Sequence, residues 1–404
     1  MTSIITTRRQ LHQHPEVGLH LPQTQRYLLD RLRAAGIECR LGTSLSSIIA
    51  IVHGEAHVAG TRPAVLVRSD MDALPIAEDT ALSWAATNGA MHACGHDCHM
   101  AIVLHAALNV QARRHELFGD AIFFFQPGEE GHGGAQLALS EGLLDALEAR
   151  PVAALGLHVL AHHLQRGQIV TREGPVLAGS TLIDVVFEGA GGHGSAPHLT
   201  RDPLTAAAAF VSASATMMSM RVSPREHAVL TYGMITAGVA RNVIADNAEL
   251  NGVIRGFSES SLDRVLNLVH STAAGVAMSH GVAATVTARQ DTIPTLSHRT
   301  ELDLLRDICG DDVGDLPEPL AIAEDFSWIL REVPGVFLLI GATTGDPVSS
   351  PSNHSARATF DDSVLQPGAD LVERWVLGRA QRAANAHPRA ADRPVTAALP
   401  SRKT

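Results

Sequence analysis

Apolar positions Leu11, Leu28, Leu29 and Leu32 share one helical face, and the spacing predicts helix over 8–35 with Gly36 as its stop. Four short apolar runs follow: SIIAIV (47–52), AVLVRS (64–69), AIFFFQ (121–126) and VAALGL (152–157). They are too short for helices and read as buried strands, with a helix-like stretch at 100–114 between the second and third. Buried strands alternating with helices predict an α/β domain whose sheet is mostly parallel and flanked by helices. The rhythm changes at 180–190, where STLIDVVFEGA alternates apolar and polar residues. An Ala-rich helix (203–219), strands near 228–236 and 248–255, a helix (258–279) and a strand (282–288) come next. That βαββαβ order predicts a ferredoxin-like α+β unit inserted into the first domain. Residues 320–377 return to strand–helix character, and 379–404, rich in Ala, Pro and Arg, read as a disordered tail.

Composition narrows the function classes. With 404 residues the chain suits two domains of roughly 100–200 residues each. A formal charge of -11 gives no electrostatic basis for binding nucleic acid or an anionic membrane. Aromatic residues are only 4%, which leaves no surface for stacking bases. The start, MTSIITTRRQLHQHPE, lacks the apolar core of a secretory signal, and no apolar run reaches the roughly 18 residues a bilayer span needs. Of the cysteines Cys39, Cys94, Cys98 and Cys309, two sit among histidines and two stand far apart. This argues against a disulfide framework and predicts a reducing, cytoplasmic setting.

Chemistry gathers where the apolar runs end. AVLVRS runs into Asp70 and Asp72, AIFFFQ into Glu129 and Glu130, and VAALGL into His158. Open α/β sheets build sites at the carboxyl ends of their strands. The segment MHACGHDCH (91–99) concentrates metal-type donors. Cys94 and His96 would diverge on a helix but can share one ion on an extended or looped backbone. Thiolate with imidazole suits borderline ions such as zinc. In the pair Glu129-Glu130, one carboxylate can ligate a metal while its neighbour takes a proton from metal-bound water. His193 lies in GAGGHGSAPH (189–198), a segment equally compatible with a substrate loop and a tight hairpin turn. It is not a nucleotide-binding GxGxxG. Isolated histidines such as His105, His115 and His280 read as surface or core residues.

Taken together these stretches resemble the metallo-aminoacylase and carboxypeptidase superfamily, in the branch of hippurate hydrolases, N-acyl-amino-acid amidohydrolases and auxin-conjugate hydrolases. The resemblance rests on LHQHPEVG (11–18), RSDMDALP (68–75), MHACGHDCH (91–99), QPGEEGHGGA (126–135), LGLHV (155–159), GGHGSAPH (191–198), RNVIADNAEL (241–250), AEDFSWIL (323–330) and HSARATFDD (354–362). It departs in having Ala356 where a proline is usual, a shorter stretch before Arg8, and a tail without counterpart. The resemblance implies a catalytic domain of residues 1–178 plus 292–378 and a lid domain at 179–291 that also forms a homodimer. It implies two divalent metals held by Cys94, His96, Glu130, His158 and His354, with Cys94 bridging. Zinc or manganese is expected, with cobalt or nickel as alternatives. Glu129 is implied as general base and Asp72 as the acid that orients a ligand histidine. His193 is implied to stabilise the oxyanion, often from the partner subunit, and Asn242 and Arg255 to contact the substrate carboxylate.

The expected reaction is hydrolysis of the amide bond of an N-acyl amino acid by a metal-activated water, releasing a carboxylic acid and a free amino acid. The alternatives are a dipeptidase or carboxypeptidase on the same scaffold, and a non-catalytic metal or acyl-amino-acid binding protein.

Overall fold

A computed structural model describes residues 2–58 and 60–386. Its larger sheet has eight strands, in the order Glu38–Leu41, Ile48–His53, Asp120–Gln126, Ala64–Asp70, Pro151–Leu160, Gly335–Gly341, Ile169–Thr171 and Gly314–Asp315. The four central strands, from Asp120–Gln126 to Gly335–Gly341, are mutually parallel, and antiparallel pairings appear towards both edges. Every residue of Ala64–Asp70 and of Asp120–Gln126 is buried, because helices cover both faces. Val65, Val67, Phe123 and Phe125 pack with the helices Ile4–His12, Pro22–Ala34, His96–Ala112 and Leu365–Ala386. Their neighbours Leu66, Ile122 and Phe124 point the other way, towards Gly134–Ser140 and Ser327–Glu332.

Two helix expectations need correction. The helix expected over 8–35 is two, Ile4–His12 and Pro22–Ala34. Pro15 disfavours helix at His14, Gly18 takes φ +84°, and Pro22 opens the second helix at its first turn. The C-terminal helix Leu365–Ala386 runs eight residues into the expected tail, since 386 − 378 = 8. Arg379, buried there, makes two bonds to Glu301 of 2.7 and 2.8 Å, and Ala380 and Ala383 are also buried. The remainder of that expectation, 387–404, lies outside the described residues.

A second sheet takes the strands Val229–Ala237, Asn247–Gly256, Gly179–Glu188 and Ala283–Thr292 in that spatial order, all antiparallel. Helices Pro203–Arg221 and Glu259–His280 cover one face, where Ile183, Val185 and Phe187 meet Phe210, Val265 and Val269. The sequence order is βαββαβ, as the alternation predicts. By length and composition alone Pro203–Arg221 is long and apolar enough to cross a bilayer. Its Ala206, Ala207, Phe210 and Met217 are instead buried against this sheet.

Candidate metal centre and active site

The carboxyl ends of the central strands and the start of His96–Ala112 converge. Gly95 precedes that helix with φ +85°, and a Cβ there would lie 2.4 Å from Val159 Cγ2. Only glycine makes this turn without strain or clash, and the turn sets Cys94 and His96 around one point. Cys94, His96 and His158 offer donor atoms within 4.8 Å of one another, and so do Cys94, Glu130 and His354. Cys94 belongs to both groups: its Sγ is 3.3 Å from His158 Nε2 and 3.2 Å from His354 Nε2. Glu130 Oε1 lies 3.1 Å from His354 Nε2 and 4.0 Å from His96 Nε2. All five ligands implied by the resemblance are thus neighbours.

The donors fit divalent metal. His96 Nδ1–H donates to the Asp72 carbonyl and His158 Nδ1–H to the Val159 carbonyl, both at 2.8 Å. Each ring therefore turns the Nε2 lone pair towards the cluster. His96 Nε2 is buried with no hydrogen-bond partner, a costly arrangement for a protein interior that a cation relieves. Hydrogen bonds to Cys94 and Glu130 push His354 up to about 10, a measure of the negative potential there. His354 also holds φ +67°, a strained backbone for a residue other than glycine, with its N–H bonded to the Ala93 carbonyl at 2.9 Å.

Glu129 borders the cluster and shares a 4.8 Å neighbourhood with His96 and Glu130, and another with Glu324 and Asp325. Burial, then Glu324, Glu130 and Asp325, raise its carboxyl well above the usual range. Asp72 contacts the ligand histidine His96 and also shapes the neighbouring turn. Its carboxylate accepts the backbone N–H groups of Glu129 (3.0 Å) and Glu130 (3.1 Å), while its carbonyl, not its carboxylate, holds His96. The nearest carboxylate oxygen is 3.7 Å from His96 Nδ1. Asp72 thus shapes the turn that presents both glutamates.

Further residues, given no role from the sequence, complete the site. Asp70 accepts from His99 Nδ1 at 2.6 Å, and His99 Nε2 accepts the Val159 N–H at 2.8 Å. Arg68, fully buried, contacts Asp70, Asp325 and Gln126 at 2.8, 2.8 and 3.0 Å and Glu324 at 2.9 Å. Burial pushes Asp325 up to about 8, against the pull of Arg68. The available signal was the company these residues keep, in RSDMD and AEDF. Asp97, Cys98 and His99 occupy the first turn of the helix, buried, as supporting residues should. Asp97 Oδ2 takes bonds of 2.9 Å from both Arg8 and His12.

The cluster opens into a cavity of about 610 Å³, within the range of small-molecule sites. Cys94, Glu129, Glu130, His158, His354 and Arg255 line it. Arg255, whose Nη1 donates to the Ala321 carbonyl at 3.2 Å, is therefore brought to the site. His193 and Asn242 are not among its lining residues: both are exposed, on and beside the short ladder Gly192–His193 with Val243–Ile244. His193 Nδ1 instead meets Ser195 Oγ at 2.7 Å.

Residues 66–378 match the model of peptidase family M20/M25/M40. The chain belongs to this family. Among curated proteins this M20 chain is 32% identical over 381 residues to an N-acetyldiaminopimelate deacetylase of Leuconostoc citreum, covering 93% of the chain and 96% of the relative. It is 29% identical over 373 residues to thermostable carboxypeptidase 1 of Saccharolobus solfataricus, covering 91% and 92%. Among solved structures it superposes on a dinuclear metal-binding M20 peptidase of Bacillus subtilis with TM-score 0.80 and 27% identity, over 94% of this chain and 98% of that one. The M20 chain is a metal-binding amidohydrolase.

Proposed function

We propose that this M20 enzyme hydrolyses the amide bond of N-acyl amino acids with two divalent ions held by Cys94, His96, Glu130, His158 and His354. The convergence of these five donors around Cys94, beside a carboxylate that ligates nothing in either group, carries the reading. A pure binding site has no use for Glu129. The relatives' deacetylase and carboxypeptidase names support cleavage of an amide next to a free carboxylate.

When bound, the ions lower the pKa of a coordinated water to about 7 and polarise the scissile carbonyl. Glu129 would take a proton from the attacking water and hand it to the leaving nitrogen. Glu324 and Asp325, tied to Arg68, neighbour Glu129. Asp72 fixes the turn that keeps base and ligand side by side. Arg255 takes the substrate carboxylate at the cavity wall.

The unit at 179–291 acts as a lid, and a second copy of the chain brings His193 and Asn242 to the oxyanion and carboxylate. Both residues are exposed, and so are Val229, Met234 and Ile235 on the edge strand Val229–Ala237. The four cysteines are free, which accords with a cytoplasmic enzyme.

Metal-stripped protein reconstituted with Zn, Mn, Co or Ni and assayed on N-acetyl and N-benzoyl amino acids beside dipeptides tests the proposal. Turnover of acyl amino acids over dipeptides is expected. Exclusive peptide cleavage would make the enzyme a dipeptidase or carboxypeptidase, and no turnover with any metal would leave a binding protein.

A further inference from the structure

Part of the cavity wall comes from the open face of the four-stranded sheet: Ser180, Leu182, Val253, Arg255, Asp291 and Thr292. Arg255 pairs with Ser180 across one ladder, and Ser180 with Thr292 across the next, so the three stand in a row over three strands. In a regular strand Asp291 and Thr292 would face opposite sides of the sheet. Here the register slips between Gln290 and Thr292, so that Asp291 is the extra residue of a bulge, and both side chains reach the cavity. A bulge beside an active site is a means of re-aiming one side chain. Its consequence is a carboxylate on the wall that also carries a guanidinium.

Asp291 is held and only partly neutralised. Ser180 Oγ donates to its Oδ2 at 3.1 Å, and the Trp328 indole N–H fixes its carbonyl at 3.1 Å. Among the described residues its one cation is Arg289, 3.4 Å away and 60% exposed, a weak solvent-screened contact that a ligand ammonium can replace. Among the described residues Arg255 has no acidic partner, and it bonds a carbonyl. The two opposite charges are two strands apart, about 10 Å between backbones. An arginine reaching from one side and a four-carbon side chain reaching from the other bridge that span.

We infer that Asp291 is a specificity residue that selects N-acyl amino acids whose side chain ends in an ammonium group. This rests on the amidohydrolase reading above. The α-carboxylate lies on Arg255, the ammonium on Asp291, and the acyl carbonyl at the metal donors. Leu182 and Val253 line the same wall and suit the methylenes between the charges.

The test compares kcat/KM for Nα-acetyl-L-lysine and Nα-acetyl-L-norleucine, which differ by the ammonium, using the metal-loaded enzyme. Nα-acetyl-L-methionine serves as the general substrate. The wild type should favour the lysine derivative by about tenfold or more, equivalent to about 1.4 kcal/mol. Asp291→Asn should bring the ratio to about one or below, and Arg289→Gln, which frees Asp291, should raise it. A wild-type ratio of one or less, or a preference that survives in Asp291→Asn, overturns the inference while methionine turnover leaves the amidohydrolase reading standing. Absence of turnover with all three substrates overturns both. Should Asp291→Asn fail to fold, the Arg289→Gln ratio decides, and no rise counts against the inference.

Discussion

Replacing Asp72 by Asn tests how the turn at 127–130 builds the site. The residue is 1% exposed, and its two carboxylate oxygens accept separate backbone N–H groups, those of Glu129 at 3.0 Å and Glu130 at 3.1 Å. Asparagine keeps the backbone carbonyl that holds His96 and one acceptor oxygen. Its other terminus becomes an NH₂ facing an N–H. One bond to a charged acceptor, worth about 1.5–3 kcal/mol, is thereby lost and a donor–donor contact replaces it. The turn must shift, and a displacement of about 1 Å at a reacting group costs about 100-fold in rate. That corresponds to about 2.7 kcal/mol of transition-state stabilisation. The assay is kcat and KM for Nα-acetyl-L-methionine at saturating metal, with metal affinity from chelator competition. We expect kcat to fall by about 100-fold even when metal is saturating, with weaker metal binding through Glu130. Loss of metal affinity with normal kcat at saturation would return Asp72 to orienting His96. Wild-type values for both would refute any role for the turn.

Glu129→Gln should retain metal by elemental analysis and lose about 10²–10⁴ in kcat; near wild-type turnover would remove Glu129 as the base. Cys94→Ala removes the donor common to both groups, so metal content per chain should fall, and unchanged stoichiometry would exclude Cys94 as a ligand. Arg68→Met leaves Asp70, Glu324 and Asp325 buried without their cation, which should cost about 3–5 kcal/mol in chemical denaturation; a loss under about 1 kcal/mol would contradict the hub. His12, opposed by burial but bonded to Asp97 and Glu78, is raised from 6.5 to about 9. Its protonated form is thus favoured by the fold. The stabilisation, on the order of 3 kcal/mol, is fully present below about pH 6.5 and is lost as pH rises through about 9. His12→Gln should flatten that part of a stability-versus-pH curve, and an unaltered slope between pH 7 and 9 would contradict it.

Cys94, His96, Glu130 and His158 were legible as metal-type donors because each follows a buried strand or sits in a dense cluster, whereas His354 was implied only by the resemblance. Asp72 was legible as a participant but not in its role. Nothing in RSDMDALP tells that its carboxylate reaches the N–H groups of residues 57 and 58 positions later. Arg68 and the pair Glu324-Asp325 meet across more than 250 residues of chain. Their partnership follows from adjacent strand and loop positions, which no local period encodes. The bulge at Asp291 is invisible for a related reason: strand alternation predicts the opposite face for one of two neighbours.

By itself the sequence determined the α/β sheet and the βαββαβ unit, because burial and local period are written residue by residue, while the five donors and the base candidate were implied by the resemblance to the family. The tertiary structure decided how the donors share Cys94, which atom of Asp72 holds His96, and that Arg255 reaches the cavity while His193 and Asn242 do not. Those outcomes depend on distances between segments far apart in the chain, fixed only when strands pair and helices cover them.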